Sequence, residues 1–207
     1  MSKFILSVFV FAFLFSCQEE SLIPKPPTNL RVDLPKHQYK KFDNNLPYSF
    51  DIPLIYDPKV MEENNLMIKM GMLSNIKTKT STKSASSKNK DWTMKMSYKK
   101  INNKDTISLN DLINHCHTRV DYHKIKATGI NSHSIKKSDK SVYGTFFELQ
   151  GDVAVPFQFY FTDSLNTIVF AEVTLGCQPN WSKMQGKLMY VKKDILRIFN
   201  SFEWSEQ

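Results

Sequence analysis

Val142-Tyr143-Gly144-Thr145-Phe146-Phe147-Glu148-Leu149-Gln150-Gly151-Asp152-Val153-Ala154-Val155-Pro156-Phe157-Gln158-Phe159-Tyr160-Phe161-Thr162 is the stretch that decides the fold. Val142 to Gln150 and Val153 to Thr162 are rich in aromatic and β-branched residues, the composition of strands. Gly151-Asp152 between them predicts a tight turn, since glycine first in a two-residue loop suits a type II′ hairpin. A strand alternates its side chains, so Val153, Val155, Phe157, Phe159 and Phe161 are expected on one face. Gln158 and Tyr160 fall on the other. Pro156 lacks a ladder donor and hints at an edge or a bulge. Asp163 to Asn166 reads as a longer turn, and Thr167 to Leu175 as a third strand. Three antiparallel strands in a row form the centre of a sheet.

The flanks supply what covers it. Pro179 and Asn180 interrupt the third strand. A long helix is then predicted from Ser182, with Gln185 completing a capping box. Met184, Leu188, Val191, Ile195, Ile198 and Phe202 make its apolar stripe, while Lys183, Lys187, Lys193 and Arg197 face away. Such a helix is stabilised mainly by packing on a sheet. Upstream, Ser108 and Asp111 mark the start of another helix, striped with Leu109, Leu112, Ile113, Cys116 and Val120. An extended stretch is predicted from Lys124 to about Ile135. Further strands alternate through Tyr48-Phe50-Ile52, Leu66-Ile68-Met70-Met72 and Trp92-Met94-Met96-Tyr98. The expected architecture is α+β: an antiparallel sheet of about six strands flanked by helices. Its element order is similar to a Mog1/PsbP-like sandwich, a likeness of fold that carries no function.

The N-terminus is a targeting device. Lys3, an apolar run from Phe4 to Phe15, and Ser16 before Cys17 describe a bacterial lipoprotein signal over residues 1–16. The run is short for a membrane span, and Gln18, Glu19 and Glu20 follow at once. Cleavage after Ser16 would leave Cys17 first, with acyl chains such as palmitate on its sulfur and amine, and several chains anchor stably where one does not. Residues 17–46, with prolines at 24, 26, 27 and 35, read as a Pro-rich tether. Residues 47–207 read as a single domain. Within it, the Lys/Ser/Thr tract at 74–90 reads as a mobile loop, because it has little to bury against its ordering entropy.

The formal charge of +8 comes almost wholly from lysine; Arg31, Arg119 and Arg197 are the only arginines. Bidentate recognition of phosphate or bases leans on arginine, so no nucleic-acid partner is expected. His115, Cys116, His117 and His123 suggest a metal motif at first sight. On a helix, however, His115 and His117 stand about 200° apart and cannot share an ion. No metal and no cofactor is expected. Cys116 lies on the apolar face of its helix, which favours a buried thiol over a bridge to Cys177. No nucleophile elbow, zinc-protease, phosphate-loop or C-x-x-C motif is present. Glu148 and Glu172, on strands expected to be neighbours, are the one candidate acid/base pair. The blander account makes them polar positions on a solvated face, and Asp152 and Asp163 turn residues.

Several stretches carry a family resemblance: Pro24-Lys25-Pro26, Arg31-Val32-Asp33-Leu34-Pro35 with Tyr39, and His123-Lys124-Ile125-Lys126-Ala127. Further on come Gly151 to Ser164, Pro179-Asn180, Tyr190-Val191-Lys192-Lys193-Asp194-Ile195 and Trp204. In length and order the chain resembles the GldD family of gliding-motility lipoproteins of Bacteroidota. It departs from the family at Pro27-Thr28-Asn29-Leu30, at Asp152 and around Phe170-Ala171-Glu172-Val173, and its 74–90 loop is longer. The resemblance implies a non-enzymatic accessory lipoprotein of the gliding motility and type IX secretion apparatus, acting through contacts with other envelope proteins. It implies a tether partly docked on the domain. It also implies a place in the cell envelope, lipid-anchored through Cys17 and facing the periplasm. The alternative is an envelope lipoprotein that binds a ligand or polypeptide on the sheet face near Gln158 and Tyr160.

Overall fold

The computed structural model describes residues 34–70, 92–102 and 105–205. The signal, Cys17, most of the tether and the 74–90 tract lie outside the described residues. The strands are β1 (Tyr39–Phe42), β2 (Tyr48–Pro53), β3 (Asp57–Val60), β4 (Leu66–Lys69), β5 (Thr93–Lys100), β6 (Ala127–Lys137), β7 (Val142–Gly151), β8 (Phe157–Thr162), β9 (Thr167–Thr174) and β10 (Glu203–Trp204). The helices are α1 (Leu109–Asp121) and α2 (Trp181–Ser201). Seven strands form one antiparallel sheet in the order β3-β4-β5-β9-β8-β7-β6, and β1-β2-β10 form a second, three-stranded sheet. The fold is thus α+β, as the periodicity predicts. Among the described residues no helix is long and apolar enough to cross a membrane.

Every residue of β8 is buried, because the large sheet is covered on both faces. Phe157, Phe159 and Phe161 join the main core with Met94, Met96, Val169 and Ala171 of the sheet, Tyr48 and Phe50 of the small sheet, and the α2 stripe. The Phe161 ring stacks on Phe202 at 3.9 Å and lies 5.0 Å from Phe199. On the opposite face α1 lays Cys116 and Val120 over Phe147, Leu149, Val153, Tyr160 and Ile168. The predicted capping box is present: Asp111 N–H donates to Ser108 Oγ, and Ser108 N–H donates to Asp111 Oδ2 at 3.0 Å.

Two local expectations are corrected. Gly151 and Asp152 do not form a two-residue hairpin; β8 begins only at Phe157, after the connection 152–156. Gly151 has φ of 100°, and a Cβ there would meet Lys126 O and Thr128 N at 3.0 Å, so the position excludes side chains. The chain then detours because its polar groups find distant partners. Asp152 Oδ1 accepts from Trp181 N–H at 2.7 Å, and Leu175 N–H donates to Ala154 O at 2.9 Å. Val153 consequently turns under α1 instead of sharing a face with Phe157. Pro156 has only a carbonyl to offer, and that carbonyl accepts from Leu149 N–H at 2.8 Å. The second correction is the start of α2. Asn180, not Ser182, is the cap, its Oδ1 accepting from Lys183 N–H at 3.1 Å.

Gly144 tests how closely β7 and β8 approach. A Cβ there would run into the Tyr160 carbonyl oxygen and press on the Phe161 ring. Gly144→Ala is expected to destabilise the fold by about 1–3 kcal/mol, the usual range for overpacking. Urea unfolding would show it as a lower midpoint at unchanged slope.

Candidate functional site

The least expected residue in the molecule is Asp194, a carboxylate with 0% exposure in the middle of α2. A buried charge is strongly disfavoured unless hydrogen-bonded, so its partners define a built site. His37 Nδ1 lies 2.6 Å from Asp194 Oδ1, and Tyr39 Oη donates to the same oxygen at 2.8 Å. Tyr56 Oη donates to Oδ2 at 2.7 Å. The His37 ring stacks on Tyr190 at 4.2 Å, one turn before Asp194 on the same helix. Burial, reinforced by Asp194, pushes the Tyr39 and Tyr56 hydroxyls far above the ordinary tyrosine range. Burial also raises Tyr190 to about 12. The Tyr39 and Tyr56 phenols thus stay protonated and serve Asp194 as donors, whereas the buried Tyr190 hydroxyl has no hydrogen-bond partner among the described residues.

The chain reaches this cluster from three directions. His37 and Tyr39 come from the segment that enters the domain and forms β1. Tyr56 comes from the turn after β2, and Tyr190 and Asp194 come from α2. Arg197, one turn further on, pairs with Asp51 at 2.6 Å and sits over the Tyr39 ring at 5.7 Å. Asp51 N–H donates to Ser201 Oγ at 2.8 Å. The β1–β2 hairpin is therefore bound along the last three turns of α2. With both oxygens engaged by three side chains and no solvent access, Asp194 ties together the three segments that meet at this cluster.

The sequence carries one signal of this site, and it is easily passed over. Asp194 stands three residues after Val191 and four before Ile198, so a carboxylate occupies the apolar stripe itself. Its partners are more than a hundred residues away, and periodicity alone cannot name them.

The residues singled out from sequence fall elsewhere. Gln158 is 0% exposed and Tyr160 is buried beside it, both beneath α1. The sheet face expected to be open is covered, because the α1 stripe needs that face for its own burial. Gln158 keeps both amide atoms without a hydrogen-bond partner, and Tyr160 Oη accepts from Thr145 Oγ1 at 3.2 Å. Glu148 and Glu172 are not neighbours: β8 lies between their strands, and they project from opposite faces. Glu148 pairs with Lys192 of α2 at 2.8 Å, and Glu172 pairs with Arg119 of α1. They cannot work on one substrate as an acid/base couple.

His117 packs edge-on against Phe147 and Tyr160, with ring centroids at 5.2 and 5.8 Å. Among the described residues no three His, Cys, Asp or Glu side chains converge as metal ligands. Cys116 and Cys177 are both free thiols, and they pack in the two separate cores on opposite faces of the large sheet. Burial pushes the Cys116 thiol up to about 12, which makes it a poor nucleophile. Asp163 is a turn residue as expected, its Oδ1 accepting from Leu165, Asn166 and Thr167 N–H at 2.8, 3.0 and 2.9 Å. Asp152 does more than turn the chain, since it joins the 152–156 connection to the start of α2.

No curated protein matches the chain. The model of a family described as gliding motility lipoprotein GldD matches residues 19–204, a span that takes in both sheets, both helices and every member of the Asp194 cluster. On that match the chain belongs to the gliding motility lipoprotein GldD family.

Proposed function

We propose that this protein is an accessory lipoprotein of the gliding motility and type IX secretion apparatus that works through protein contacts without catalysis. The observation that carries the reading is the family match over residues 19–204. In this reading residues 1–16 are a signal peptide, and Cys17 carries the acyl chains. Residues 17–46 form a tether, partly docked, that holds the 47–207 domain to the periplasmic side of an envelope membrane. Two features of the fold support it. The carboxylates best placed in sequence for acid/base work lie on opposite faces of the sheet, each in an ion pair with a helix. The most heavily built polar site fastens the chain segment that arrives from the anchor side. A protein whose role is positional needs that attachment to be firm.

The test is Cys17→Ala. Membrane fractionation should show the protein released from the membrane, and colony spreading should be lost with it. Full spreading by a soluble, unacylated protein would overturn the reading.

A further inference from the structure

The two edges of the large sheet are built differently. At one edge β3 has only four residues, carries Pro58 opposite Ile68, and runs straight into the acidic turn Glu62–Asn64. Short length, proline and charge are the usual means of blunting an edge against further pairing. At the other edge β6 runs for eleven residues, Ala127 to Lys137, without a proline. Its only irregularity is a register shift between Ala127 and Gly129. From Asn131 to Ser134 it presents four exposed polar side chains, none of them lysine, arginine or a carboxylate.

The register identifies which backbone groups are unpaired. Leu149 N–H donates to Pro156 O, so Leu149 and every second residue of β7 bond toward β8. The alternate residues, Gly144, Phe146 and Glu148, therefore bond toward β6, where they face Ile135, His133 and Asn131. Ile130, Ser132, Ser134 and Lys136 then point their N–H and C=O groups away from the sheet. That is a row of donors and acceptors in strand geometry with no strand beside it among the described residues.

The flanking charge selects the occupant. Lys124 and Lys126 precede the strand, and Lys136, Lys137 and Lys140 end or follow it. Lys124 pairs with Asp121 and Lys140 with Glu203, while no ion pair among the described residues engages Lys126 or Lys136. A second copy fits badly. Antiparallel pairing of β6 with itself about Ser132 places Lys136 of each strand opposite Thr128, as the same-face diagonal neighbour of Lys126 on the other, so like charges crowd both ends of the ladder. An acidic strand meets opposite charge at both ends. Ile125, 91% exposed, and Tyr122, 74% exposed, stand just before the strand and offer apolar anchors that no fold requirement explains.

We propose that β6 is a docking edge for an extended, acidic segment of another envelope protein, which adds as an eighth strand. This rests on the reading of the protein as one that acts by contact, and it names the chemistry of the contact. The probe is a synthetic peptide of alternating Thr and Val with two glutamates at each end, compared with a counterpart carrying lysines there. Titrated into the detergent-solubilised acylated protein, the acidic peptide should bind and slow amide exchange at Ser132 and Ser134 at least tenfold. The lysine peptide should do neither. Ser132→Pro and Ser134→Pro remove only outward donors, which an edge strand tolerates. Each should weaken acidic-peptide binding at least tenfold with an unchanged unfolding midpoint. Lys126→Glu with Lys136→Glu should reverse the preference between the two peptides, a result that does not depend on the proline variants folding.

Acidic-peptide binding indifferent to all these changes, or no slowing at Ser132 and Ser134, would overturn the proposal. So would a dimer in sedimentation that Ser132→Pro dissolves, since the edge would then belong to a second copy. The Cys17→Ala result is unaffected by any of these outcomes and judges the broader reading separately.

Discussion

Asp194→Leu should destabilise the fold by about 3–5 kcal/mol, the range seen when one member of a buried charged network is removed and the others are left behind. The substitution keeps the apolar stripe continuous and roughly conserves volume, so the loss reports hydrogen bonding. It leaves Tyr39 and Tyr56 as donors without an acceptor, and His37 loses the group that orients it. Leaving the buried Tyr56 donor unsatisfied costs about 1–3 kcal/mol, and the half-buried Tyr39 adds a smaller loss. Tyr39→Phe and Tyr56→Phe remove a donor together with its need, and each should cost only about 1 kcal/mol. The asymmetry between the acceptor and donor variants is the diagnostic. Limited proteolysis supplies a second readout: in Asp194→Leu the 34–42 segment should be cut while the large sheet remains intact. Equal destabilisation by Asp194→Leu and Tyr56→Phe, with no new cleavage, would mean that Asp194 is not the hub.

Phe161→Ala should have an effect of similar size, about 3–5 kcal/mol. The ring is fully buried and lies against Phe202, Phe199 and Phe159 at 3.9, 5.0 and 5.5 Å. Its neighbours belong to α2, the C-terminal segment and the central strand itself, so no single element can shift to fill the void. A loss of that size lowers the melting temperature by roughly 6–20 °C for a chain of this length. Phe161→Leu keeps most of the volume and should cost well under half as much. A near-neutral Phe161→Ala in urea unfolding would show that the aromatic stack is not what holds α2 to the sheet.

Features set by neighbours along the chain are legible in the amino-acid sequence. The β7, β8 and β9 segments, the Ser108–Asp111 cap and the stripe of α2 all follow from spacing within one or two turns or strands. Sequence reasoning fails where a local group is claimed by a distant one. Gly151-Asp152 has the composition of a tight hairpin, but Asp152 is drawn to Trp181 N–H and the connection opens. Ser182 with Gln185 matches a capping box, but Asn180 already caps the helix. Glu148 and Glu172 look like neighbours because alternation locates strands without saying which strand lies beside which, or which face each side chain takes. The open face expected at Gln158 and Tyr160 fails for a related reason. The α1 stripe announces that it must cover something, but not which side of the sheet. The Asp194 cluster joins residues 138 to 157 positions apart, and only its acceptor leaves a mark in the sequence.

The hairpin bound along α2 sets the order in which the molecule would yield to a pull from its N-terminal side. Tension entering at Leu34 meets the contacts of His37 and Tyr39 with Asp194 first, and then the four backbone pairs between β1 and β2. Letting that segment out would also draw Phe42 away from Phe50, whose ring lies 5.6 Å from it in the main core, so the hairpin and the aromatic core resist such a pull together.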